Sequence, residues 1–166
     1  MEKVFGAEQR HDSLIVHGTK KAVLIFGYGE ENGQGYDYRH IFDHVPTKEE
    51  VVEVIHSQID ADTDQKILSG CVWNGKNVWL SAENQRNFSE AQRSAMIDNG
   101  AKLPITFKIG QADGEPVYHQ FQTLEELTEF YLYGVYYIQN CIGEGWVKKD
   151  AATTWVKTLN LKSSEA

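Results

Sequence analysis

The chain has 166 residues, of which 41% are hydrophobic and 11% are aromatic. That length suits one domain, or one domain with a small appendage, and the apolar content is too high for a wholly disordered protein. Lysine and arginine together number 16 against 24 aspartates and glutamates, so the formal net charge is -8. We therefore expect no general affinity for nucleic acid, because that affinity comes from lysine and arginine clustered against phosphates.

The N-terminus and the apolar runs indicate neither export nor membrane insertion. Residues 1–6 lack the apolar stretch of a signal peptide. The longest apolar run, at residues 22–26, is far shorter than the roughly 20 residues that a membrane span needs. Cys71 and Cys141 lie in patterned apolar segments and are predicted to be buried free thiols, with a disulfide as the alternative.

Residues 1–66 predict a strand-rich segment with one helix. Residues 1–12 are interpreted as a loose or docking segment, and the glycine-rich stretch 27–35 as a turn or mobile loop. Apolar or alternating runs predict three strands, at residues 13–17, 20–28 and 36–45. A capping box at Thr47–Glu50 predicts a helix over 48–60. A polar connection follows, and its acids are Asp60, Asp62 and Asp64.

Residues 67–166 predict a hairpin–helix–hairpin–helix unit. Asn74-Gly75 between two apolar runs, over 67–80, is a strong hairpin signal because both turn positions need a positive φ. This turn pairs Cys71 with Val78 and Trp73 with Lys76. One face then carries Cys71, Trp73, Lys76, Val78 and Leu80, and the other carries Val72 and Trp79.

The rest of this unit alternates helices with a second hairpin. A capping box at Ser89 predicts a helix from 84 or 89 to 98, ended by Asn99-Gly100. The second hairpin pairs residues 103–110 with 117–121 around Asp113-Gly114, and Pro104 and Pro116 indicate a sheet edge. A third capping box at Thr123 predicts a helix over 124–142, ended by Gly143 and Gly145, and a short helix over 148–159.

These elements predict an α+β fold, in which antiparallel hairpins pack against two to four helices in a single compact, continuous domain. Three patterns resemble ligand sites. His40 and His44 have the i, i+4 spacing at which two histidines of a helix could share a metal, but they precede a helix start and are interpreted as surface or edge-strand residues, with a metal site as the alternative. The acidic 60–64 stretch lacks the glycine and glutamate of a calcium loop. The glycines at 27–35 lack a nucleotide fingerprint. We predict no metal, no cofactor and no catalytic residue.

Aromatic side chains favour a binding role over a catalytic one, because tryptophan and tyrosine are enriched in contact hot spots. The candidate binding residues are Trp73, Trp79, Asn84, Gln85, Tyr118 and His119. They lie in the two predicted hairpins and in the segment that follows the first of them.

Several motifs within residues 67–155 resemble a known family. They include Val72-Trp73-Asn74-Gly75, Val78-Trp79-Leu80-Ser81, Pro116-Val117-Tyr118-His119 and Gly145-Trp146-Val147-Lys148-Lys149-Asp150. The family is an uncharacterised domain of phages and prophages of gut Bacteroidales, often encoded among virion and tail genes. No catalytic residues are attached to that family, so the resemblance transfers none.

The resemblance implies a phage protein. Together with the aromatic residues and the prolines at the predicted sheet edge, it leads to our interpretation as a non-enzymatic protein, a small structural or accessory virion component that binds other virion proteins through aromatic surface and sheet edges. The alternative is a phage-encoded inhibitor or sponge that binds a host defence protein or a small nucleotide signal. Either role places the protein in the virion or in the host cytoplasm. A homo-oligomer is left open.

Overall fold

The computed structural model describes residues 1–8, 10–112 and 114–161. The described chain forms two compact units. The first unit consists of residues 1–61 together with the chain from Trp146 onward, and the second unit consists of Asp62–Gly145. These residues form antiparallel strands and three helices, joined by turns and loops. This confirms the α+β prediction. Within the described residues, none of the helices contains an apolar stretch that could span a lipid bilayer.

The elements alternate along the chain in the following order. The strands are β1 (Glu2–Phe5), β2 (Ser13–His17), β3 (Lys21–Glu31), β4 (Gln34–Phe42), β5 (Cys71–Trp73), β6 (Lys76–Val78), β7 (Ile105–Ala112) and β8 (Glu115–Phe121). The helices are α1 (Lys48–Ser69), α2 (Ala82–Ile97) and α3 (Leu124–Thr158).

The first unit contains a four-stranded antiparallel sheet in the order β1-β4-β3-β2. The prediction of a turn or mobile loop over residues 27–35 is wrong, because β3 and β4 run through most of it. The turn itself is only Asn32-Gly33, with φ values of 52° and 76° that suit these two residue types. Gly29 serves packing instead, since a Cβ there would lie 2.5 Å from the Tyr36 ring.

Residues 1–12 were predicted to be a loose or docking segment, and the loose alternative is wrong for Glu2–Phe5. β1 pairs with β4, and Phe5 lies opposite Tyr36. Arg10 then binds the buried carboxylate of Asp37, which Arg39 also contacts at 2.7 Å. Burial opposes the charge on Asp37, but the hydrogen bonds from Arg39 and Arg10 outweigh it and hold the pKa of that carboxyl below its ordinary value.

Two of the helices are longer than the sequence patterns predicted. The Thr47–Glu50 capping box is confirmed as the start of α1, but the helix continues through the acidic 60–64 stretch to Ser69. Gly70 ends it with a φ of 83°. The predicted break at Gly143 and Gly145 is absent from α3, which is continuous over Leu124–Thr158.

Gly145 has a packing role within α3. A Cβ at this position would lie 2.8 Å from the Thr63 hydroxyl on α1, so a larger residue would require Thr63 to shift. A glycine in a helix interior costs about 1 kcal/mol relative to alanine. At Gly145 this cost accompanies a tight contact with α1, and the helix continues past the glycine.

The second unit holds both predicted hairpins. The predicted pairing of the strands is confirmed for the first hairpin. Cys71 lies opposite Val78 and Trp73 opposite Lys76, although residues 67–69 belong to α1 and not to the hairpin. In the second hairpin β7 pairs with β8. Of its predicted turn, Asp113 lies outside the described residues.

Helix α2 begins earlier than predicted. Ser81 caps it by accepting a hydrogen bond from the Asn84 backbone, so the capping-box match at Ser89 lies inside the helix. Its predicted end is confirmed, because Asn99 and Gly100 both have positive φ values. The core of the second unit joins hairpins and helices through Trp73, Leu80, Phe88, Ile109, Phe121, Leu127 and Phe130.

Candidate functional site

The two hairpins of the second unit lie side by side. The Trp79 backbone N–H donates to the Ile109 carbonyl at 2.8 Å, which joins the end of β6 to β7. The strands approach so closely that a Cβ at Gly110 would lie 2.0 Å from the Asn77 carbonyl oxygen. Glycine at 110 is therefore what lets the hairpins share one surface.

That surface is the outer face, which we define as Val72, Trp79, Lys108 and Tyr118. The apolar Val72 is 59% exposed and the aromatic Tyr118 is 60% exposed. Tyr118 lies directly opposite Lys108 in the β7–β8 register. The Lys108 ammonium lies 5.4 Å from the centre of the Trp79 ring, so the two hairpins meet in a cation–π contact.

The inner face of the same hairpins is packed with rings. Trp73 is buried and stands edge-on to His119 and to Phe130, with ring centres 5.0 Å apart in each pair. The prediction that Trp73 and Trp79 lie on opposite faces therefore agrees with the structure. Trp73 contributes to the core, and Trp79 contributes to the surface.

His119 is the centre of a polar chain at the border of this core. Its Nδ1 lies 2.9 Å from the Lys76 ammonium, and its Nε2 lies 2.8 Å from a carboxylate oxygen of Glu126. A protonated lysine can only donate, so Nδ1 accepts and Nε2 carries the hydrogen that is donated to Glu126. The arrangement fixes one tautomer of the ring and orients its plane.

Glu126 also closes the start of α3. Its second carboxylate oxygen accepts the Gln122 backbone N–H at 2.9 Å, and its own N–H donates to the Thr123 hydroxyl at 3.2 Å. The Gln122 amide and then the His119 ring hold the pKa of Glu126 below its ordinary value. The helix start and the polar chain thus depend on the same charged carboxylate.

Replacing Glu126 with glutamine should make stability less dependent on pH. The lowered pKa of Glu126 means that its charge stabilises the fold above the ordinary value of 4.5, and that this contribution is lost as the pH falls through the lower folded value. At neutral pH we expect Glu126→Gln to cost up to about 1 kcal/mol. The cost should shrink as the pH falls below 4.5.

Urea denaturation at a series of pH values measures this effect. The matched control is Glu125→Gln, an exposed carboxylate on the same turn of α3. A cost for Glu126→Gln that stays constant down to acidic pH would show that the carboxylate charge does not act as described.

Asn84 and Gln85 occupy a third location, between the hairpin and α2. The Asn84 side-chain amide donates to the Trp79 carbonyl at 3.1 Å, and the Gln85 amide donates to the Leu80 carbonyl at 2.6 Å. Both side chains therefore fasten the exit of β6 to the first turn of α2. They touch the backbone behind the outer face and do not belong to the face itself.

The predicted binding residues thus fall into three places. Trp79 and Tyr118 lie on the outer face, Trp73 and His119 lie on the inner face, and Asn84 and Gln85 lie in the connection. The sequence interpretation missed Lys108 and Glu126 as members of these clusters. The available signal was the alternation along β7, which places Lys108 on the face opposite Phe107.

His44, one of the two histidines considered for metal binding, has carboxylate partners. His44 contacts Asp43 at 2.7 Å and Glu50 at 3.1 Å, and these carboxylates raise the pKa of the ring. Cys71 and Cys141 are buried free thiols, as predicted, and burial raises the pKa of Cys71. Across residues 1–8, 10–112 and 114–161, no three His, Cys, Asp or Glu side chains form a group that could hold a metal ion.

Comparison with known families places most of the second half of the chain in one of them. The model of a family described as a domain of unknown function, DUF4376, matches residues 50–162, which is more than half of the chain. The chain belongs to the DUF4376 family. The matched region includes both hairpins and the whole outer face, and it extends beyond the 67–155 motifs on both sides. No curated protein and no solved structure matches the chain.

Proposed function

We propose that this DUF4376 protein is a non-enzymatic phage protein, a small structural or accessory virion component that works through protein–protein contacts at its outer face. The phage assignment rests on the motifs within residues 67–155 and their resemblance to proteins encoded among virion and tail genes. The contact role rests on the geometry of the second unit.

The observation that carries the proposal is the composition of the outer face. Val72 and Tyr118 leave more than half of their surface exposed, and the Lys108 ammonium lies 5.4 Å from the centre of the Trp79 ring. Tyrosine and tryptophan supply a disproportionate share of binding energy in protein interfaces, because they bury a large rigid area at little entropic cost. Lys108 adds a positive charge that an acidic group on a partner would satisfy.

A strand edge adjoins this face. Among the described strands β8 pairs with β7 alone, so one edge of β8 has no neighbouring strand. Pro116 removes one backbone donor from β8, as is typical of edge strands. We infer that a partner covers the outer face and reaches this edge.

Mass spectrometry of purified virions tests the proposed role. We expect the protein at a fixed copy number in virions of the phage or induced prophage that encodes it. Absence from virions, together with expression early in infection, would contradict the virion role.

Tyr118→Ala should weaken incorporation into virions while the protein remains folded. Losing an exposed hot-spot aromatic typically costs more than 1 kcal/mol of binding, so we expect at least about fivefold fewer copies per virion under limiting expression. The control is Met96→Ala, which removes a side chain that is 61% exposed on α2. Equal incorporation of the two variants would exclude the outer face as the contact surface.

The net charge of -8 favours a second candidate function, a phage-encoded inhibitor of a host protein with a basic surface. This protein would bind its target by charge complementarity, and its association rate would fall steeply with added salt. The virion measurement separates the two roles, because an inhibitor is made early and is absent from purified particles.

A further inference from the structure

A cavity of about 410 Å³ lies in the second unit, away from the outer face. Residues of β5 and β6, α2 and α3 line it, and neither Trp79 nor Tyr118 is among them. Its walls are mainly apolar and include Val78, Leu80, Phe88, Phe130 and Ile138. The volume falls in the range of about 300–1,000 Å³ that is usual for small-molecule sites.

Arg86 is the one charged residue among those that line this cavity. No carboxylate in the described part of the chain forms an ion pair with it, although Glu83 and Glu90 lie three residues before and four residues after it on α2. Ser89, almost one helical turn further along, adds a hydroxyl to the lining. The cavity therefore combines an apolar interior with a single guanidinium that has no anionic partner.

This combination selects for a particular ligand chemistry. A guanidinium pairs best with a planar oxyanion, and a carboxylate can accept two of its N–H groups. An amine would be repelled by Arg86, and an uncharged apolar molecule would gain no charge pairing from the exposed guanidinium. A nucleotide carries several negative charges, which one arginine in an apolar lining does not balance.

We propose that the cavity binds a small amphipathic carboxylate, a molecule with an apolar chain or ring and one carboxyl group. The apolar part packs against Leu80, Phe88 and Ile138, and the carboxylate pairs with Arg86. This inference does not depend on the proposed contact role, because the cavity and the outer face share no residue.

Titration calorimetry with decanoate, decanol and decylamine tests the proposal on the full chain. The three probes share one apolar chain and differ in the charge of the head group. We expect decanoate to bind at least about fivefold more tightly than decylamine, the factor that a partly exposed ion pair supplies. Chemical shifts of the Leu80 and Ile138 methyl groups should move on binding, whereas those of Val72 on the outer face should not.

Two variants locate the site. Arg86→Gln changes an exposed side chain and should remove the preference for decanoate over decanol. Gly134→Leu should abolish binding, because a Cβ at Gly134 meets only Leu80 Cδ2, at 3.7 Å, and the longer side chain extends into the cavity. Leucine also favours the helical conformation of α3 over glycine, so this variant should remain folded.

Three results would overturn the proposal. They are a failure of decanoate to bind, equal affinities for decanoate and decylamine, and retention of the decanoate preference in Arg86→Gln. Each of these leaves the virion assignment untouched, since that assignment is tested on purified particles and on Tyr118.

Discussion

Replacing Phe121 with alanine should lower the free energy of unfolding by about 3–5 kcal/mol, the range for deleting a buried phenylalanine ring. Phe121 is fully buried at the end of β8. Its ring contacts those of Trp73 and Phe130, with centres 5.9 and 4.8 Å away, and the His119 ring at 4.6 Å. Removing it leaves a cavity at the centre of this cluster, since the neighbouring rings are held by their own contacts and cannot fill the space.

Chemical denaturation monitored by tryptophan fluorescence measures this loss, because Trp73 reports on the cluster directly. Tyr118→Ala is the matched control, since the residue lies on the same strand and points to the outer face. We expect that control to stay within about 0.5 kcal/mol of the parent protein. A similar loss in both variants would mean that burial on β8 does not alternate as described.

The first hairpin shows what local sequence determines. Asn74-Gly75 fits only a tight turn with two left-handed residues, and that turn sets the register of the strands on either side. From the register follow the pairing of Cys71 with Val78 and the opposite faces of Trp73 and Trp79. These steps depend on residues close together in the chain and are confirmed, whereas the predicted start of the hairpin at residue 67 is wrong because α1 extends to Ser69.

The errors occur where distant residues decide the outcome. Asn32-Gly33 carries the same turn signal, but the surrounding glycines suggested a loose loop. A Cβ at Gly29 would crowd the Tyr36 ring, and a Cβ at Gly145 would crowd Thr63 on another helix. A glycine that permits close packing and one that ends an element look alike in sequence, so only the tertiary neighbours distinguish them.

The sequence predicted which types of residue form the candidate site better than it predicted how they are arranged in space. Trp79 and Tyr118 were expected as binding aromatics, and the structure places both on the outer face. The link between them runs through Lys108 and the hydrogen bond from Trp79 to Ile109, which joins residues 30 positions apart in the chain. Hairpin patterns specify each hairpin separately and contain no information about which strands of different hairpins will be neighbours.

Replacing Gly110 with alanine should therefore test the contact between β6 and β7 that holds the two hairpins together and so forms the outer face. The added Cβ would lie 2.0 Å from the Asn77 carbonyl oxygen, far inside van der Waals contact, and backbone atoms cannot move aside as a flexible side chain can. We expect a loss of about 3 kcal/mol in the free energy of unfolding, at the upper end of the usual cost of overpacking. The hydrogen bond from Trp79 to Ile109 should weaken, because β6 and β7 must separate.

Amide hydrogen exchange measured by NMR distinguishes this local separation from a general loss of stability. The Trp79 amide should exchange faster in Gly110→Ala by a larger factor than the amides of α3, such as that of Phe130. Gly143→Ala is the control, since no atom lies within 4 Å of the added Cβ and alanine favours the helix by about 1 kcal/mol. Normal protection of Trp79 in Gly110→Ala would mean that the hairpins are not held together at this point, and the outer face would then not be a single surface.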